Sequence, residues 1–151
     1  MSYYPPLGFH FRVEFLDTSG AQKFSETSFQ EVSGLTVEIG TEELSEGGVN
    51  DHSHRLPGKV KYGNLVLKRG MFTDSKLVDW IVKAVENYSF DPLNITVSLL
   101  NADHQPLMSW HFFRAWPVKW VTSDFKAQDN GIVVESFELA YKNFTCRKPN
   151  S

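Results

Sequence analysis

The residues best suited to chemistry in this 151-residue chain gather in one stretch, which reads Glu46-Gly-Gly-Val-Asn-Asp-His-Ser-His-Arg-Leu-Pro-Gly58. His52 and His54 form a His-x-His pair, which on a loop supplies two imidazole ligands to a metal, with Asp51 as a third. No cysteine cluster or further histidine lies nearby. A closed zinc site needs four protein ligands, so solvated loop histidines are the expected state. Gly47 and Gly48 beside Glu46 could cradle a phosphate, but the Lys-Ser/Thr pair and following helix that such a loop requires are missing. Glu42, Glu43 and Glu46 offer carboxylates for acid–base work, yet a charge run beside a loop is expected to be simply solvated.

Elsewhere the candidates are thinner. Cys146 is the only cysteine, so it has no Cys-x-x-Cys partner and no context that would activate its thiolate. No Gly-x-Ser-x-Gly occurs. Trp110, Trp116 and Trp120 suit sugar stacking in principle, but on alternating strands they are expected in the core. The expectation is a protein without catalytic residues, resident metal or cofactor.

The elements that must carry these residues are mostly strands. Phe9, Phe11, Val13 and Phe15 alternate with polar residues, the period-2 pattern of a strand with one buried face. Asp17-Thr-Ser-Gly20 predicts a turn. Val37 and Ile39 alternate with Glu38 and Gly40, and the acidic run after them predicts a strand leaving the core for solvent. The chain returns at Lys59-Val-Lys-Tyr62, so residues 46–58 read as the loop at the tip of a long hairpin. Leu65-Val-Leu-Lys-Arg69 alternates again.

One helix is predicted over residues 75–87, with Asp74 or Ser75 as its cap. Leu77, Trp80, Ile81, Ala84, Val85 and Tyr88 share its apolar face, and Asp79, Lys83 and Glu86 take the other. A hairpin follows, turning at Asn101-Ala-Asp-His-Gln-Pro106. Pro117 inside the run 114–120 predicts an edge, bulge or kink, because proline donates nothing to a ladder. Residues 132–144 read as one long final strand with Val133, Phe137, Leu139 and Tyr141 on one face. The sum is seven or eight strands and one helix in a single domain: a mainly β, antiparallel sandwich or small barrel.

Composition narrows the function classes. Hydrophobic residues make up 41% and aromatic residues 14%, which excludes an intrinsically disordered chain. The net charge is −3 with both signs interspersed, so no basic footprint for nucleic acid is present. The first residues have neither the basic nor the apolar region of a signal peptide, and no run of about 18 apolar residues predicts a membrane span. Sequons at Asn87, Asn94 and Asn143 are therefore expected to be chance matches. Several strands lack obvious edge protection, which motivates pairing with further copies.

At Leu65-Val-Leu-Lys-Arg-Gly70, Ala115-Trp-Pro-Val-Lys-Trp120 and Glu135-Ser-Phe-Glu-Leu-Ala-Tyr141 the chain resembles the tail-tube proteins of contractile phages and phage-tail-like contractile injection systems. Phe29-Gln-Glu-Val-Ser-Gly-Leu35, Glu46-Gly-Gly48 and Leu56-Pro-Gly58 extend the resemblance in order. It implies a homo-hexameric ring stacking into a rigid inner tube, with a sheath protein outside, baseplate or adaptor and tube-terminating proteins at the ends, and protein effectors or DNA as cargo in the lumen. It implies an arm over residues 42–59 that reaches the neighbouring ring and subunit, presenting Glu42, Glu43, Glu46, Gly47, Gly48, Asn50, Asp51, His52, His54, Arg55 and Gly58. The N-terminal segment 1–8 would dock nearby, and the helix would offer Asp79, Lys83 and Glu86 to the sheath. Such a chain would be made and assembled in the bacterial cytoplasm without membrane insertion. Its rivals are a tube-initiating or baseplate-adaptor paralogue, a type VI secretion tube protein, and a small metal-binding β-barrel enzyme.

Overall fold

A computed structural model describes residues 10–26, 29–45, 53–70, 75–123 and 133–148. Within them the order is β1 (His10–Leu16), β2 (Gln22–Glu26), β3 (Glu31–Ser33), β4 (Val37–Ser45), β5 (Ser53–Tyr62), β6 (Leu65–Gly70), α1 (Lys76–Asn87), β7 (Leu93–Leu100), β8 (Pro106–Thr122), β9 (Val134–Ala140) and β10 (Asn143–Arg147). Every pairing is antiparallel. The main sheet runs β2-β1-β7-β8-β9-β6-β3 with β10 also on β8, while β4 and β5 form a separate two-stranded sheet.

The seventeen-residue β8 organises the fold. Its first half lies between β7 and β10, and its second half pairs with β9. Between the halves Arg114 adopts a left-handed conformation (φ 54), and its N–H donates to Asn94 Oδ1 at 3.1 Å. The strand thereby turns from one half-sheet into the other, and the two inner faces meet. Val13, Phe15, Ile95, Val97 and Phe112 come from one half, and Leu65, Leu67, Phe137 and Leu139 from the other, all in one buried cluster. Pro117 faces Leu139 beside a register shift, the bulge that its missing donor predicts.

The bend also corrects the long final strand. A strand running along β8 must turn where β8 turns, so residues 132–144 divide into β9, paired with Trp116–Thr122, and β10, paired with Ser109–Phe113. Lys142 N–H bridges the break by donating to the Phe113 carbonyl at 2.9 Å. With this division the described residues hold ten strands, above the seven or eight expected.

The helix begins where its cap predicts: Ser75 Oγ accepts from Val78 N–H at 3.2 Å. Asp74, the other cap candidate, lies outside the described residues, as does Phe9. Leu77, Ile81 and Ala84 are buried, but Val85 and Tyr88, expected on the same face, are 72% and 83% exposed. The buried stripe runs through 77, 81 and 84, with Val78 and Trp80 packed partly buried against the core. Tyr88 closes the helix in a left-handed conformation (φ 47) and sits against Phe90, with ring centres 5.1 Å apart.

Two charges share the buried phase of their strands. Arg69 follows Leu65 and Leu67, Glu135 precedes Phe137 and Leu139, and the register sets Arg69 opposite Glu135. Both are buried. Arg69 Nε donates to Glu135 at 3.4 Å, one terminal nitrogen donates to Glu26 of β2, and the other to Ser75 Oγ at 2.5 Å. The rings of Phe29 and Phe137 hold the guanidinium at 5.1 and 5.0 Å. Glu26 also accepts from Ser75 Oγ and from Leu77 N–H, so its charge meets the positive end of the helix. This network pins β2, β6, β9 and the start of α1 together.

Candidate assembly interface

The hairpin predicted from alternation is present and longer than expected. Residues 53–58, expected as loop, are strand, and Glu42, Glu43, Leu44 and Ser45 pair with Leu56, Arg55, His54 and Ser53. Nine residues of β4 at about 3.3 Å each reach about 30 Å. The base is clamped. Gly34 sits at φ 82, where an added Cβ would lie 1.8 Å from the Asn64 carbonyl oxygen, so only glycine fits. Tyr62 packs on Tyr141 and Phe144 with ring centres 5.8 and 5.3 Å apart, and Tyr141 donates its hydroxyl to the Gly63 carbonyl at 2.6 Å. Burial, and then Tyr62, push the Tyr141 phenol up to about 12.

Beyond the base the arm is largely exposed among the described residues. Ile39 and Val60 stand directly opposite one another and are 66% and 48% exposed; Val37 and Leu56 are also exposed. An isolated two-stranded hairpin is marginal in water, and this one holds an apolar pair in solvent. At the bulge, a Cβ on Gly58 would come within 3.1 Å of the Gly40 carbonyl group, which explains glycine there. Glu42, Glu43 and Arg55 are exposed, and Arg55 Nε lies 3.7 Å from Glu43. Glu46, Gly47, Gly48, Asn50, Asp51 and His52 lie outside the described residues, as does the His54 side chain. Among the described residues there is no group of three or more His, Cys, Asp or Glu that could hold a metal.

A second surface is formed where β8 leaves β7. Trp116 and Trp120, expected in the core, are 38% and 39% exposed, while Trp110 packs partly buried against the core. The physical reason is the bend: past Ala115, β8 pairs only with β9, so its other edge is free among the described residues. Trp116, Val118, Trp120 and Val121 are all exposed on this second half of β8, Trp116 and Val121 on one face and Trp120 on the other, where it is stacked parallel on Phe137 at 6.4 Å. The third surface is the outward side of α1, where Asp79, Lys83 and Glu86 are exposed as expected.

Arg69 and Glu135 occupy inward positions that alternation of apolar residues alone does not mark. The signal was there: Leu65-x-Leu67-x-Arg69 and Glu135-x-Phe137-x-Leu139 each carry the charge in phase with the core.

Comparison with known proteins gives these surfaces a context. The family model for the T4-like virus tail tube protein gp19 matches residues 7–145. A chain in the baseplate of the anti-feeding prophage is similar over 100% of both chains, with 29% identity and a TM-score of 0.81. A chain in the sheath-tube complex of PVC, an extracellular contractile injection system in its extended state, is similar at 26% identity and TM-score 0.75, over 97% of this chain and 93% of that one. Hcp1 from Salmonella typhimurium shares the fold at 11% identity and TM-score 0.59, over 94% and 87% of the two chains. No match was found among curated protein sequences. With a family match spanning nearly its whole length, the chain belongs to the T4-like tail tube protein family.

Proposed function

We propose that this chain is the repeating structural subunit of the inner tube of a contractile, phage-tail-like particle. Six copies close into a ring, rings stack around a lumen, and a sheath surrounds the tube. The observation that carries the reading is the family match over residues 7–145. The free β8 edge and the exposed Ile39–Val60 pair support it, because both are surfaces that a further copy would cover. In this reading the whole chain is one tail-tube domain. Glu42, Glu43, Glu46, Gly47, Gly48, Asn50, Asp51, His52, His54, Arg55 and Gly58 belong to the inter-ring and inter-subunit arm, segment 1–8 docks beside it, and Asp79, Lys83 and Glu86 face the sheath. Baseplate and terminating proteins close the ends, and DNA or protein effectors pass through the lumen. The subunit is made and assembled in the cytoplasm and catalyses no reaction.

A second reading places this chain in the tube-initiating ring at the baseplate. The anti-feeding prophage baseplate chain matches at 29% and TM-score 0.81, against 25% and 0.74 for a chain of that particle's tube-terminating cap. Electron microscopy and light scattering of the purified chain test both. Tubes of many rings support the repeating subunit, and single rings that never elongate support the initiator. A strictly monomeric species at high concentration overturns both.

A further inference from the structure

The outer side of the half-sheet formed by β2, β1, β7, β8 and β10 carries a groove that the tube reading leaves unused. A cleft of about 250 Å³ is lined in part by Asn94, His111, Phe113 and Arg147. A second, of about 500 Å³, is lined in part by Asn94, Phe113, Arg114 and Lys142. The shared Asn94 and Phe113 join them.

The charged side chains of this groove are all cationic: Arg114, Lys142 and Arg147. Carboxylates also lie nearby in the sheet, each with partners of its own, and Glu14 acts on His111 of the groove. Glu14 lies 3.0 Å from Arg12, and Asp17 accepts from Ser19 N–H, Ser19 Oγ–H and Ala21 N–H of its own turn. No ion pair to Arg114, Lys142 or Arg147 occurs among the described residues. Arg114 also occupies the left-handed bend of β8, where glycine would carry the least strain. A costly backbone position that holds an exposed cation points to use of that cation.

The arm has the opposite character. Glu42 and Glu43 are exposed on β4, and over residues 42–59 Glu46 and Asp51 add to them in sequence while Arg55, 3.7 Å from Glu43, and Lys59 oppose, so four carboxylates stand against two cations. We propose that the cationic groove receives the acidic arm of a second copy of this chain. The proposal rests on the tube reading and deepens it by naming where the arm docks. Arm and groove are different surfaces of one chain, so each copy both gives and receives, which is the heterologous contact that propagates through an assembly. The pairing is electrostatic and sets register and partner choice, while the exposed Ile39–Val60 pair supplies apolar contact.

Charge reversal tests this on the full chain. Glu42→Lys with Glu43→Lys reverses the arm, Arg114→Glu with Lys142→Glu reverses the groove, and a fourth variant combines all four changes. Lys142→Glu with Arg147→Glu is a second groove variant that leaves the β8 bend intact. Assembled fraction is read by sedimentation and tube length by electron microscopy, with circular dichroism confirming the fold. Each reversal should lower the assembled fraction at least about tenfold, and the combined variant should restore much of it. About 0.5 M salt should weaken wild-type stacking. Wild-type tubes together with a folded groove variant that assembles normally, or a combined variant no better than its parents, would overturn the docking proposal and leave the tube reading standing. A wild-type chain that forms no rings or tubes overturns the tube reading itself.

Discussion

Replacing Arg69 with methionine probes what holds the helix and both half-sheets together. The guanidinium is fully buried and reaches Glu135, Glu26 and Ser75 through three different nitrogens between two phenyl rings. Methionine fills comparable volume but leaves Glu135 and Glu26 with no cation. Breaking a buried pair by removing one partner costs about 3–5 kcal/mol, because an uncompensated charge remains. That is a large part of the roughly 5–15 kcal/mol that holds a domain folded. At roughly 2–4 °C per kcal/mol for a chain of this size, the melting temperature should fall by about 10 °C. Thermal and urea unfolding followed by circular dichroism read both quantities. Arg69→Lys should also destabilise, since one ammonium cannot reproduce the three-way fork. Adding Glu135→Gln to Arg69→Met should recover part of the loss, because the second change removes the stranded charge. A melting temperature within about 2 °C of wild type for Arg69→Met, or strictly additive losses in the double variant, would refute the reasoning.

Three further outcomes follow from other parts of the molecule. Ile39→Ser with Val60→Ser removes an apolar pair that is already in solvent, so subunit stability should change by less than about 0.5 kcal/mol while tube yield falls; a destabilised subunit with normal tubes would contradict the arm's role. Tyr141→Phe leaves the Gly63 carbonyl without its donor and should cost about 1–2 kcal/mol in urea unfolding. The Tyr141 phenol is raised to about 12, so the unfolded chain releases its proton first, and stability should decline as pH rises from about 10 towards 12. That decline should shrink in Tyr141→Phe. Burial, then Arg147, hold the His111 imidazole below its ordinary value, so the unfolded chain binds the proton more readily. Stability should therefore fall as pH drops below about 6.5, and His111→Gln should flatten that slope; an unchanged slope would show that His111 is not its source.

Much of the architecture was legible because burial imposes a period. The strand at 10–16, the turn at Asp17, the Ser75 cap, the helix to Asn87 and the hairpin arm follow from local pattern and turn chemistry, which act within a few residues. The misses share one cause. Trp116 and Trp120 alternate like core residues but stand on a strand whose second neighbour has gone, and neighbours are not a local property. Val85 and Tyr88 fit the helical stripe but lie beyond what the sheet covers. The cationic groove draws on the middle of β8, the break before β10 and the end of β10, which carry no shared motif.

The amino-acid sequence by itself determined that this is a mainly antiparallel β chain with one capped helix and a projecting acidic arm, and that it resembles tail-tube proteins. Side-chain period, caps and glycine positions are written along the chain, so those features need no knowledge of distant contacts. Only the tertiary structure decided where β8 bends, that the last strand divides to follow it, that Arg69 and Glu135 meet in the core, and that three cations converge beside Phe113. Each of these depends on which strand lies beside which, a choice made by the packing of two half-sheets around one core rather than by any stretch of sequence alone.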